Sequence, residues 1–137
     1  METALNYITG FHERYPRIRF FLDLEWDRLK SQPLEKRGVS SLMGRFRRFD
    51  RRATTRVERQ FRVTWPQQIE ADLIKTAVVR LDRIFRRRNM KARIVMMIHD
   101  SLWAEAPQGE ASKVRHLVER MMTAAGGIRV PLKVDID

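Results

Sequence analysis

The run Arg93-Ile94-Val95-Met96-Met97-Ile98-His99-Asp100-Ser101-Leu102-Trp103-Ala104-Glu105-Ala106-Pro107 decides how this chain is read. Two apolar, strand-like arms flank a polar His-Asp-Ser step, which places a carboxylate where a hairpin would turn. An aspartate there is either a turn former or a metal ligand. Asp-Ser is good turn chemistry, and hard oxygen donors are what magnesium takes. The residues alone leave both roles open.

Outward from the hairpin, periodicity organises the chain. Ile69, Leu73, Ile74, Ala77, Val78, Leu81, Ile84 and Phe85 form one apolar helical face, with Arg80, Arg83 and Arg87 on another. A helix beginning near Arg52 or Ala53 carries Arg56, Arg59 and Arg62 at intervals of three, and Pro66 is expected to end or kink it. Further upstream, Thr3 to Tyr15 reads as helix, and a second helical stripe runs from Ile18 to Leu29 and stops near Pro33. Gly38 to Phe49 reads as a small hairpin around Gly44. Downstream, Glu110 to Ala124 is helical, with Val114, Leu117, Val118 and Met121 facing inward, and Gly126-Gly127 ends it. The tail alternates Ile128, Val130, Leu132, Val134 and Ile136, which predicts a strand, with Pro131 confining it to an edge. The expectation is a single α+β unit of 137 residues: a small antiparallel sheet carrying the hairpin, packed against several helices. Within it, residues 1–65 hold helices and the basic hairpin, and residues 66–137 hold the His-Asp-Ser hairpin, a helix and the closing strand. Trp26, Trp65, Trp103, Met96 and Met97 are expected to be packing residues.

Charge limits the partners. Net charge is +11 at pH 7, which favours a polyanion. The excess sits in two clusters, Lys36 to Arg62 and Arg80 to Arg93, and arginine dominates both. Its planar fork suits phosphate oxygens. No stretch approaches the roughly 20 apolar residues that span a bilayer, and the N-terminus lacks a signal-peptide pattern, so no membrane partner and a cytoplasmic location are expected. Without cysteine there is no disulfide framework and no thiolate site.

Four blocks, in order and across nearly the whole chain, carry a resemblance. Phe11-His12-Glu13-Arg14-Tyr15-Pro16 is similar to a Y-F-x-R-Y-P segment, and Ser41-Leu42-Met43-Gly44-Arg45-Phe46-Arg47-Arg48 to a T-L-x-G-R-x-R hairpin. Glu58-Arg59, Gln67 and Ala71-Asp72-Leu73-Ile74-Lys75 are similar to an E-R-x7-Q-G-T-A-A-D-I-I-K helix. Ile98-His99-Asp100-Ser101 with Glu105-Ala106-Pro107, then Val130-Pro131-Leu132-Lys133-Val134, are similar to V-H-D-E…E-x-P and V-P-L-K-V. Together they resemble the C-terminal palm and fingers-adjacent part of a family A DNA polymerase, the bacterial polymerase I type, whose motif C is the V-H-D-E hairpin.

The resemblance implies template-directed DNA synthesis, a nucleotidyl transfer serving replication or repair. Asp100 becomes the metal-binding and catalytic aspartate for magnesium, or manganese in its place, and His99 sits beside the primer terminus. Arg59 and Gln67 match positions on the minor-groove side of a primer–template duplex, where acceptors vary little between base pairs. Arg45, Arg47, Arg48 and Arg56 join them as duplex contacts. The departures are Ser101 for the usual glutamate, Gln68-Ile69-Glu70 for Gly-Thr-Ala, and Val63 for an asparagine. Motif A (D-Y-S-x-I-E) and the nucleotide-binding motif B do not occur in these residues. Two-metal transfer uses ions about 4 Å apart bridged by carboxylates, so the chain alone is expected to be inactive and to meet dNTP only with a complementing polymerase fragment. The alternative is a non-catalytic basic DNA-binding module. An exposed sheet edge and apolar surface also imply self-association.

Overall fold

The computed structural model describes residues 2–49, 54–125 and 128–136, and side chains from residue 3 onward. They form α1 (Glu2–Arg14), α2 (Pro16–Ser31), a single 3-10 turn (Leu34–Lys36), β1 (Gly38–Ser40), β2 (Phe46–Arg48), α3 (Thr55–Arg87), β3 (Arg93–Ile98), β4 (Ser101–Glu105) and α4 (Gln108–Thr123). The strands make two antiparallel pairs, β1 with β2 and β3 with β4, so the fold is α+β with two small sheets. Contacts gather these elements into two compact units, Met1–Trp65 and Pro66–Asp137. The start expected at Arg52 or Ala53 and the Gly126-Gly127 stop lie outside the described residues.

In the first unit, Pro16 opens α2 at a position whose N–H would have no helical partner anyway. At the other end of α2, the Arg37 guanidinium donates to the Lys30 and Gln32 carbonyls at 3.1 and 3.3 Å, and Gln32 Oε1 accepts from the Gly38 amide at 2.9 Å. These bonds fix where β1 begins. The β1–β2 connection is a turn followed by a left-handed residue: Gly44 N donates to Ser41 O at 3.0 Å, Gly44 has φ +81°, and Ser41 N donates to Arg45 O at 2.8 Å. That loop requires a residue that tolerates positive φ. Gly38 is required for a different reason, since a Cβ there would lie 2.1 Å from the Phe46 ring. Trp26, Leu29, Val39, Phe49, Val57 and Phe61 close the core, with Trp65 packed against it. Thr54 Oγ1 caps α3 by accepting from Val57 N at 3.3 Å.

Pro66 does not end α3, which is continuous for 33 residues. Proline removes one helical hydrogen bond and crowds the preceding turn, at about 3 kcal/mol. Buried side chains on both sides offset this: Phe61 and Thr64 before it, Gln68, Asp72, Ile74 and Ala77 after it.

In the second unit, α3 ends as its C-terminal sequence dictates. Asn89 takes φ +50°, Asn89 N donates to Arg86 O at 3.1 Å, and Met90 N donates to Phe85 O at 2.9 Å. This is a Schellman stop, and Met90 packs on the same core as Phe85, as the motif favours. Leu81 and Phe85 of α3 then pack with Ala92 and with Val114, Leu117 and Val118 of α4.

Two expectations fail here. Residues 128–136 form no strand, although Leu132, Val134 and Ile136 are half-buried while Lys133 and Asp135 are exposed. Alternation supplies a strand's faces but not its ladder, and no described strand pairs with the tail. Met96, Met97 and Trp103 are exposed at 45, 41 and 58 %, so they are not core residues. The helices cover Ile94 and Leu102; Met96 and Trp103 pair on the opposite face, whereas Met97 pairs with Leu102 and still stays exposed.

Gly44→Ala is expected to destabilise the first unit by about 1–2 kcal/mol through backbone strain alone, since a Cβ there meets nothing within 4 Å. Asn89→Gly is expected to stabilise the second unit by about 0.5–1 kcal/mol. Hydrogen exchange of the β1–β2 and α3 amides measures each; a slower-exchanging Gly44→Ala hairpin would overturn the turn assignment.

Candidate functional site

The β3–β4 hairpin places Asp100. Arg93 pairs with Glu105, Ile94 with Ala104, Met96 with Trp103, Met97 with Leu102 and Ile98 with Ser101, leaving His99 and Asp100 as a two-residue loop. The register shifts between Ile94 and Met96, so Val95 is an extra residue in β3 that bends the strand. At the base, Arg93 Nε and Nη2 each lie 3.0 Å from Glu105 Oε2, which clamps the first pair of the ladder.

His99 has φ +52°. Tight hairpin loops favour glycine or asparagine at such a position, and histidine adopts it at a cost of about 1–2 kcal/mol. A left-handed non-glycine residue therefore stands beside the tip carboxylate.

The hairpin is held from below. Glu110, in the first turn of α4, accepts from Lys91 N at 3.1 Å and from Ala92 N at 3.0 Å. One carboxylate therefore ties α4 to the two residues that lead into β3. Nothing in the sequence reading singled out Glu110; its only sequence signal is an acidic residue in a first helical turn, where the helix dipole favours it.

Asp100 and Ser101 are exposed and line a cleft of about 1100 Å³ within the second unit. Glu70, Leu73 and Ile74 of α3 form one wall, and the tail residues Leu132 to Ile136 form another. Glu70 and Asp135 also reach this cleft. Among the described residues no three His, Asp or Glu side chains stand where they could hold a metal ion. Asp100, Glu70 and Asp135 are thus three exposed carboxylates lining one cleft, without forming a closed metal site. Glu105 is taken up by Arg93, and Asp72 is 4 % exposed inside the second unit.

The remaining site residues fall in both units, each described within its own. In the first, Arg45 follows Gly44 in the hairpin loop, Arg48 is exposed on β2, and half-buried Arg47 lays its guanidinium 5.4 Å from the Phe49 ring centre. Arg56 and Arg59 are exposed on α3. Arg62, expected on their face, is instead drawn inward: its guanidinium meets Asp23 at 2.6 Å and Glu58 at 2.7 Å. Burial opposes its charge, but the hydrogen bonds to the two carboxylates prevail and hold its pKa above the ordinary arginine value. Arg62 is therefore a structural cation. In the second unit, Gln67 and His99 are exposed, whereas neighbouring Gln68 is 7 % exposed. Val63 is 47 % exposed, so an apolar side chain faces solvent where the resembled helix has asparagine.

A family-wide sequence profile described as DNA polymerase family A matches residues 1–137, the whole chain. The chain belongs to DNA polymerase family A. Among its relatives, a thermostable DNA polymerase I of Thermus thermophilus is 33 % identical over 143 residues, covering 98 % of this chain and 16 % of that protein. DNA polymerase I of Treponema pallidum is 30 % identical over 140 residues, covering 98 % of this chain and 14 % of that protein. The POL domain of Pol1 from M. smegmatis, solved in complex with a DNA primer-template and dNTP, matches with a TM-score of 0.82 at 25 % identity, over 96 % of this chain and 24 % of that one. The chain thus spans about one-seventh of the length of these curated family A relatives. Among the described residues, no helix is long and apolar enough to cross a membrane.

Replacing Arg62 by methionine is expected to destabilise the first unit by about 1 kcal/mol, a modest figure because the three partners are part-exposed. Duplex affinity is expected to change less than on replacing Arg59, and parallel urea melts and duplex titrations of the two variants measure the contrast.

Proposed function

We propose that this chain is the motif C segment of a family A polymerase palm, contributing one metal-binding carboxylate and a set of duplex contacts to template-directed DNA synthesis. The observation that carries this reading is Asp100 at the tip of a two-residue hairpin loop, beside a left-handed His99. Asp100 is the metal ligand, and His99 lies next to the primer end. When bound, magnesium or manganese would supply charge stabilisation for the transferring phosphoryl group. Magnesium keeps several waters, so one or two protein carboxylates suffice for each ion.

The chain's own residues bind and orient. Arg59 and Gln67 meet the minor-groove side of the primer–template duplex, and Arg45, Arg47, Arg48 and Arg56 meet its phosphates. Phosphate contacts position a duplex without reading sequence, which is what a polymerase requires. Ser101 supplies a hydroxyl where the family motif has a carboxylate, so Asp100 acts without an acidic neighbour in the loop. Since no group of three metal-ligating side chains is found among the described residues and motifs A and B do not occur in them, synthesis requires residues carrying motifs A and B, and dNTP binds only with them. Val95 and Trp103, 61 and 58 % exposed on the hairpin, give the chain a surface for self-association or for docking that complementing part.

Primer extension is expected from a mixture of this chain with a family A fragment bearing motifs A and B, and from neither alone. Asp100→Ala is expected to lower that activity by at least a hundredfold, roughly 3 kcal/mol of transition-state stabilisation, while leaving duplex affinity unchanged. Duplex binding without any extension in the mixture would support the non-catalytic DNA-binding module instead. Sedimentation of the chain alone is expected to show concentration-dependent dimers, and a monomer at every concentration would contradict the self-association.

A further inference from the structure

Apart from Arg93, the second basic cluster has no part in the site described above. Arg83 and Arg87 lie one helical turn apart on α3, Arg88 follows in the Schellman turn, and Lys91 stands just past it. All are exposed, and their side chains make no hydrogen bond or ion pair with any described residue. Their neighbours are already engaged: Arg86 pairs with Asp82 at 2.9 Å, Arg80 donates to the Ala124 carbonyl at 3.0 Å, and Arg93 pairs with Glu105.

Helix electrostatics alone does not account for the group. A helix C-terminus carries roughly −0.5 elementary charge, and the Glu110 carboxylate beside the Lys91 amide adds one full negative charge. Against Arg83, Arg87, Arg88 and Lys91 this leaves a surplus of about two to three positive charges. The surplus is also rigidly presented. Asn89 in its left-handed position fixes the turn between Arg88 and Met90, and Glu110 grips the amides of Lys91 and Ala92.

We infer that Arg83, Arg87, Arg88 and Lys91 form a second phosphate-binding surface, which takes the sugar-phosphate backbone of duplex nucleic acid without regard to sequence. Three of the four are arginines, whose planar forks match phosphate oxygens. Between residues 82 and 92 the sole aromatic, Phe85, is 3 % exposed in the core, so the cluster offers no platform for stacking unpaired bases. Along α3, Arg83 to Arg87 lie 16 to 20 residues beyond Gln67, about 24–30 Å at the helical rise. Contacts at that separation fall on different phosphates from any that Gln67 approaches. The surface therefore lengthens or doubles the nucleic-acid footprint of the chain.

The test is the salt dependence of duplex affinity for the full chain and for a variant with Arg83, Arg87, Arg88 and Lys91 all changed to alanine. Each lost phosphate contact lowers the slope of log affinity against log salt by about 0.9. The expected result is a slope smaller by about 2–4 and an affinity about tenfold or more weaker near 100 mM salt. A control variant with Arg17, Lys113, Arg120 and Arg129 changed to alanine removes the same charge from elsewhere. An equal loss in the control would reduce the effect to net charge and overturn the inference. An unchanged slope in the cluster variant, with binding lost on replacing Arg45, Arg47 and Arg48, would overturn it while leaving the duplex reading of the first site standing. Weakened binding confined to vesicles of anionic lipid would assign the cluster to a membrane surface and likewise overturn it. Circular dichroism melts of each variant verify folding, which these exposed side chains are not expected to affect.

Discussion

The second unit depends on the packing of Leu81 and Phe85 of α3 against Val114, Leu117 and Val118 of α4. An isolated two-stranded hairpin is marginally stable in water. Here β3–β4 is held because Ile94 and Leu102 join that helix-helix core, while Glu110 fastens the strand's entrance. The Arg93–Glu105 pair sits on the first rung of the β3–β4 ladder, and the register leaves His99 and Asp100 as the loop. A one-residue slip would turn every side chain to the other face. The position of the tip carboxylate is thus inherited from apolar packing well below it.

The hairpin's outer residues are the counterpart of that support. Val95, Met96, Met97, Ile98 and Trp103 are all at least 41 % exposed, and the alternating tail beside the cleft has no ladder partner among the described strands. The chain belongs to DNA polymerase family A and spans 14–16 % of its relatives' length. Ser101 and the acidic Glu70 change the chemistry around Asp100, because one removes a carboxylate from the loop and the other adds one to the facing wall of the cleft.

Local patterns made most of the elements legible. The apolar face of α3 from Ile69 to Phe85, the inward residues of α4 and both hairpins follow from spacing, turn chemistry and glycine. What escaped was set by non-local pairing or by side-chain partners. Pro66 reads as a helix end or a kink, and burial on either side carries α3 through it without an end. Ile128 to Ile136 reads as a strand, but a strand exists only with a ladder. Arg62 reads as one of a row of phosphate-facing arginines, and Asp23, 39 residues away in sequence, turns it inward. Met96 and Trp103 read as core because sequence does not say which face of a hairpin its helices cover, and Met97, on the face of Leu102, because it does not say how far that cover extends. At the site, the position of Asp100 at a turn was legible, while the left-handed backbone of His99 and the grip of Glu110 were not.

The most direct measurement is paramagnetic broadening by manganese in the amide spectrum of this chain, alone and mixed with a family A fragment bearing motif A. Broadening centred on residues 98–101, stronger in the mixture and abolished by Asp100→Asn, is the expected result. Broadening that persists in Asp100→Asn, or that centres on Glu70 and Asp135 instead, would contradict the assignment of Asp100 as the metal ligand.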